Sequence, residues 1–166
     1  MNILKVVEIN RKSSDVWKIV ADQFEHAHTW MGFVVDSYAL NESNVLDGAP
    51  VAGRVCEFTD KPDGLKAKEN ILYFSEQDMR FQFDVVPFNA PKVFPVKKNI
   101  VTLSVKEVSA EKCLVTWESN IELSAFGYLA YPFLKLGLSK NFGQVLDDLR
   151  HHMENQNPSY KSVHAI

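Results

Sequence analysis

Cysteine is scarce in this sequence: Cys56 and Cys113 are the only two among 166 residues. Neither has a partner at CxxC spacing, which speaks against a thiolate metal or redox pair, and each sits inside an apolar strand-like run, so both read as buried structural thiols. Glycine motifs are missing as well. The chain holds no GxGxxG, no phosphate-cradling glycine loop and no GxSxG, which removes the usual signatures of dinucleotide binding, phosphate transfer and the serine nucleophile elbow. Basic clusters are absent: 18 Lys and Arg are scattered against 21 Asp and Glu, with a formal net charge of -3, so there is no electrostatic footprint for nucleic acid. A long hydrophobic run is lacking too. The longest, Tyr128 to Leu138, carries Lys135 and falls well short of the roughly 20 apolar residues a membrane-spanning helix needs. The N-terminus alternates like a strand and lacks the charged start and apolar block of a signal peptide, so the cytoplasm is the expected compartment. His26 and His28 are two apart, His151 and His152 are adjacent and His164 is near the end. Such spacings do not converge on one helix face, so no metal site and no cofactor is expected.

What is present suits one globular domain. A chain of this length buries roughly 70% of its unfolded surface, and 46% hydrophobic against 23% charged residues argues against disorder over most of it. Residues Ile3 to Ile9 alternate as a first strand. Ser13-Ser14-Asp15 then offers N-cap side chains before Val16, Trp17, Ile19 and Val20 recur at helical spacing, and a second short helix fits Phe24 to Trp30. From there the period returns to two. Strands are predicted over Phe33 to Leu40, Arg54 to Thr59, Leu65 to Phe74, Arg80 to Val86, Asn99 to Val108 and Leu114 to Leu123, separated by turn-forming residues such as Asp60-Lys61-Pro62-Asp63-Gly64. Links as short as Ser75 to Asp78 and Ser109 to Lys112 make these neighbours antiparallel. Leu134, Leu138, Phe142, Val145, Leu146 and Leu149 then recur at three- and four-residue steps, one long helix to about Glu154 that Pro132 either starts or kinks. Residues 1–155 are expected to form the domain, with 156–166 a loose polar tail. A sheet with one apolar face needs a cover, and the last helix is the only element long enough to supply it. The expected class is α+β, with a curved antiparallel sheet of about seven strands.

Alternation also predicts which side chains face inward. Lys66, Lys68 and Asn70 belong in water, which turns Leu65, Ala67, Glu69, Ile71 and Tyr73 to the interior. In the same way Met79, Phe81, Phe83 and Val85 are expected inside, with Arg80, Gln82 and Asp84 outside. Glu69 is then an acid on an apolar face. It must be paired, neutral or functional, either as a ligand contact or general acid/base of raised pKa, or in a salt bridge to Arg54 on the adjoining strand, or at a water-exposed cavity mouth. For the last strand, alternation turns Cys113, Val115, Trp117 and Ile121 inward. Trp30 and Met31, together with Phe88 and Phe94 in the stretch Pro87 to Pro95, form either a lid over a cavity mouth or a plug at the end of the core.

The order of elements resembles the START and birch-pollen-allergen (SRPBCC) superfamily, and more closely its polyketide cyclase/dehydrase-like branch, over about Asn2 to Glu154. Ser14-Asp15-Val16-Trp17, Gly53-Arg54-Val55, Val115-Thr116-Trp117-Glu118 and the final amphipathic helix carry the likeness. The resemblance implies a helix-grip fold, in which the sheet curls round the helix and leaves a pocket for lipids, sterols, polyketides or aromatic molecules. It places Glu118 in the pocket beside Thr116 and Asn120, against the alternation, and both placements stand open. It also turns Phe133, Gly137 and Asn141 toward the pocket, at four-residue spacing on one helix face. Gly137 would leave room for a ligand or for close packing, and Asn141 would supply a polar contact or lie at the solvated edge.

Three functions follow as expectations. The first is binding or transport of a small hydrophobic molecule by a monomer or homodimer. The second is a cyclase or dehydratase that moves a proton with Glu69 or Glu118. The third is a protein-interaction module, which would gain if Trp117 were exposed on the convex face.

Overall fold

A computed structural model describes residues 1–155, so the expected tail lies outside the described residues. Strand β1 (Asn2–Ile9) buries Ile3, Val7 and Ile9 and leaves Leu4 and Val6 in solvent. Helix α1 (Ser13–Trp17) runs into a wider helical turn over Lys18–Asp22 and then a 3-10 turn over Phe24–Thr29. The Ser13 side chain does not cap α1 as the sequence suggests. It is buried, and its Oγ donates to Glu107 Oε2 across 3.4 Å, which ties the helix to the sheet instead.

Six more strands follow: β2 (Asp36–Ala39), β3 (Gly53–Glu57), β4 (Lys66–Ser75), β5 (Arg80–Phe88), β6 (Val96–Ser109) and β7 (Lys112–Leu123). They form one antiparallel sheet in the order β1-β7-β6-β5-β4-β3-β2, with each strand after β1 beside its sequence neighbour. Only β1 reaches across the chain, to β7, where Lys5 stands opposite Trp117. Strand β2 is shorter than its apolar run suggests. Val34 is taken into the core, and its N–H closes a turn on Met31 O at 3.0 Å before pairing can begin.

Helix α2 (Ala125–Leu129) precedes the long helix α3 (Tyr131–Glu154), whose Pro132 sits in the first turn, where its missing N–H costs nothing. The C-terminal half of α3 fills the hand of the sheet with Val145, Leu146, Leu149 and Met153. Its far end is held by Arg11, whose Nε donates to Met153 O at 2.8 Å, and by the Asn10 N–H on Glu154 Oε1 at 2.8 Å. Around it packs an aromatic cluster in which Phe81 lies 5.7 Å from Trp17, 5.6 Å from Phe24 and 5.5 Å from Phe83, measured between ring centroids. The N-terminal half of α3 makes a different contact. Leu134 and Leu138 lie against the small cluster of Ile3, Ile121 and Leu123, while Phe133 and Leu136 face solvent.

Candidate functional site

The two halves of α3 leave a cavity of about 200 Å³ between the helix and the concave face of the sheet. Val85, Trp117 and Ile121 supply its wall on the strands, and Leu138, Phe142 and Val145 close it from α3. Met31, Val34 and Phe94 reach it from the loops. Four polar side chains border this apolar space, Arg54, Glu69, Asn99 and Asn141, along with the Cys56 thiol.

Gly53 begins the arrangement at one end. A Cβ there would stand 2.1 Å from the Glu69 carbonyl oxygen, so only glycine lets β3 lie this close to β4. The next residue, Arg54, then falls directly opposite Glu69, on the inward face of both strands. Its Nε donates to Glu69 Oε2 at 2.6 Å and its Nη1 to the Phe24 carbonyl at 2.6 Å, with the guanidinium carbon 4.0 Å above the centre of the Phe24 ring. Both side chains are buried. Desolvation pushes the Glu69 carboxyl above its ordinary value, and the Arg54 charge and hydrogen bond pull against that without cancelling it. Cys56, two residues along β3, is pushed up to about 12 by burial and stays a thiol. Cys113 is pushed up to about 11 for the same reason, and both cysteines are free.

Asn99 borders the cavity from β6. It belongs to the inward series of β6 with Val101, Leu103 and Val105, and stands opposite Val85 on one neighbour and Ile121 on the other. Its Nδ2 donates to Ser119 Oγ at 3.2 Å, and Ser119 Oγ also receives Trp117 Nε1 at 2.9 Å. The Asn99 Oδ1 atom is buried without a partner in the protein.

Among the residues singled out from the sequence, Arg54, Glu69, Phe94, Trp117 and Asn141 border the cavity. The Arg54 salt bridge, one of the roles open to Glu69, is formed. Trp30, Ile71, Phe81 and Phe83 are buried in the packed core and do not line the cavity. Tyr73 corrects the alternation argument. A bulge in β4 shifts the register after Ile71, which turns Tyr73 out to 46% exposure and brings Phe74 onto the aromatic cluster, 5.4 Å from Trp17. Phe88 is exposed at the end of β5. Glu118 follows the alternation and not the resemblance: Trp117 and Ser119 are buried, so Glu118 points outward into solvent with Asn120. Trp117 is therefore not a convex-face residue. Phe133 is 82% exposed and Gly137 is exposed as well, and neither is among the residues that border the cavity. On α3 the wall-forming residues are Leu138, Asn141, Phe142 and Val145, so Asn141 alone of the expected set is among them.

Asp84 was expected outside, and the structure buries it. It accepts from Asn70 N at 3.0 Å and Asn70 Nδ2 at 2.8 Å and pairs with Lys98 Nζ at 2.9 Å, so these partners cover a residue of the outer face. Asn99 was not foreseen. Its signal was the one that marked Glu69, a polar residue at an inward position of an apolar strand.

Comparison with known proteins agrees with this architecture. Residues 3–154 match the family model described as polyketide cyclase / dehydrase and lipid transport. A START superfamily protein from Mycobacterium smegmatis superposes with a TM-score of 0.74 at 13% identity, over 94% of this chain and 99% of that one. Norcoclaurine synthase from Thalictrum flavum, solved with dopamine and hydroxybenzaldehyde, gives 0.63 at 12% identity, over 95% and 88%. The di-domain ARO/CYC protein BexL gives 0.70 at 12%, over 93% of this chain and 46% of that one. At such identities the likeness speaks for the fold alone. No curated protein matches the sequence.

Proposed function

Because the chain belongs to the polyketide cyclase / dehydrase and lipid transport family, we propose that it binds and carries a small hydrophobic molecule in the cavity beneath α3. The observation behind this is the cavity itself: about 200 Å³, walled by aliphatic and aromatic side chains. An engineered cavity of roughly 150 Å³ takes up benzene, whereas drug-sized ligands use roughly 300 Å³ or more. The space here suits a molecule of one or two rings better than a sterol. Its apolar walls supply affinity by removing ligand surface from water, and the few polar groups supply orientation.

Catalysis is the second reading, and Glu69 is what favours it. A carboxyl bordering the cavity and held above its ordinary value could hand a proton to a bound carbonyl. Its salt bridge to Arg54 opposes that role, since the guanidinium favours the charged form. Glu118 faces solvent and offers no second acid. Carriage therefore stands first.

Native mass spectrometry of the protein purified without delipidation tests the proposal, followed by calorimetric titration with one- and two-ring aromatics. A co-purified apolar compound, or saturable binding of such probes, is the expected result. A protein that leaves the column empty and binds none of them would end this reading.

A further inference from the structure

Among the described residues that border the cavity, one buried polar atom has no partner, and it says something about the molecule the cavity takes. Asn99 is 6% exposed, borders the cavity, and stands between Val85 and Ile121 on the two adjoining strands, which also border it. Its amide nitrogen is committed to Ser119 Oγ, and that hydroxyl is already held by the Trp117 indole N–H. The carbonyl end is left with no partner in the protein. A buried amide oxygen without a hydrogen bond is costly, and native proteins keep few of them. The rest of the rung offers it no side-chain partner, because the side chains of Val85 and Ile121 carry no polar atoms. The last torsion of an asparagine side chain is soft, so a small turn of the amide presents Oδ1 to the lumen while the Ser119 contact holds the other end.

We propose that the ligand carries a hydroxyl or N–H which donates to Asn99 Oδ1, so that the cavity selects phenol- or alcohol-bearing ring molecules over their ethers and ketones. This rests on the binding reading above and deepens it. Trp117, fixed by the same hydroxyl that fixes Asn99, gives the ring system a face to pack against. The Arg54–Glu69 pair already has its own internal partners. A site built to pair with a donor rejects an analogue that lacks it far more strongly than an apolar wall rejects an extra methyl group, because the polar group of the protein is then left unpaired.

The experiment is isothermal titration calorimetry with 2-naphthol, 2-methoxynaphthalene and 2-naphthaldehyde, against the unmodified protein and against Asn99→Leu. For the unmodified protein, 2-naphthol is expected to bind about ten- to a hundredfold more tightly than the ether or the aldehyde, the range of one buried hydrogen bond. In Asn99→Leu the three affinities converge while the ether binds at least as well as before. Leucine nearly matches asparagine in shape and removes the unpaired atom, so the melting temperature should hold or rise. Should that variant fail to fold, Asn99→Thr serves, with a smaller preference expected. Equal binding of all three probes by the unmodified protein overturns the inference and leaves the carrier reading standing. Preference for the aldehyde overturns it too, because the amide N–H would then be the group facing the ligand. Binding of none of the probes removes the carrier reading itself.

Discussion

Arg54 and Glu69 face each other across β3 and β4, joined by a 2.6 Å hydrogen bond inside the protein and buried together at the edge of an apolar cavity. Their union is asymmetric in energy. Two charges taken from water are expensive, and a well-formed pair roughly offsets that cost, but a single survivor has nothing to offset it. Glu69→Gln and Arg54→Met should each destabilise the fold by about 3 to 5 kcal/mol in urea unfolding. The double change Arg54→Met with Glu69→Leu should recover most of that loss. If the double variant is as unstable as the sum of the singles, the pair is held for reasons other than mutual charge compensation.

Alkaline pH should weaken the fold through the two thiols. Below the ordinary thiol value of 9.0 both folded and unfolded chains keep the proton. Above it the unfolded chain gives the proton up, whereas burial holds Cys56 protonated to about 12 and Cys113 to about 11. The folded state then binds more protons, so stability falls as pH rises, by about 1.4 kcal/mol per pH unit for each thiol in that window. Urea melts at pH 8.5 and 10.5 measure it. The Cys56→Ala variant should show a shallower decline, and a slope identical to the parent's would refute the assignment.

Asp84 carries the opposite sign. Burial alone would raise its carboxyl, but the Lys98 ammonium and the two Asn70 N–H groups outweigh burial and hold it below the usual carboxylate value. Its contribution is therefore complete above the unfolded-state value and is lost as pH falls through the lower folded-state value. Asp84→Ala should cost roughly 1 to 3 kcal/mol at pH 7, since it leaves Asn70 without its acceptor. The gap between variant and parent should narrow steadily on acidification toward pH 2. A gap that stays constant from pH 7 to pH 2 would mean that the charge of Asp84 plays no part.

Most of the architecture was readable because period-two and period-3.6 patterns are physical consequences of strand and helix geometry. Seven strands, their antiparallel order and the covering helix all follow from such patterns together with link lengths. Side-chain direction was readable only as far as the pattern was regular. One inserted residue in β4 reversed the sides of Tyr73 and Phe74, and nothing in Ile71-Leu72-Tyr73-Phe74 distinguishes the extra residue in advance. On α3 the difficulty was the reverse. Its first half is apolar nearly all the way round, so periodicity could not choose between the Phe133 face and the Leu134 face. The chain chose Leu134 and Leu138, which reach Ile3, Ile121 and Leu123. Asn99 shows a signal present and unread, a polar residue in the inward series of β6.

The exposed apolar side of α3 leads to a simple expectation. Phe133 is 82% and Leu136 72% exposed, so neither adds burial to the described fold. Phe133→Ser with Leu136→Ser should change stability by no more than about 0.5 kcal/mol for each surface site, and the melting temperature should barely move. A loss of several kcal/mol would show that this face is covered in solution, and light scattering on the parent would then show whether a second copy covers it.

Gly137 ties helix propensity to the site. Glycine inside a helix costs about 1 kcal/mol relative to alanine because the unfolded backbone is freer, which invited the idea that its missing side chain makes room for a ligand or for close packing. The structure supports neither, since Gly137 is exposed and not among the residues bordering the cavity, and a Cβ there meets nothing within 4 Å, so no close packing needs its absence. Gly143 is equally open to a methyl group. Gly137→Ala should therefore raise stability by about 0.4 to 1 kcal/mol, with Gly143→Ala adding a similar amount at a separate turn of the helix. Probe binding should be unchanged in both, and even Gly137→Leu should neither block the cavity nor overpack the core. The same three variants, measured for melting temperature and for 2-naphthol affinity, decide the matter. A Gly137→Leu protein that keeps its stability but loses binding would return this residue to the cavity wall and move the site along the helix by one face.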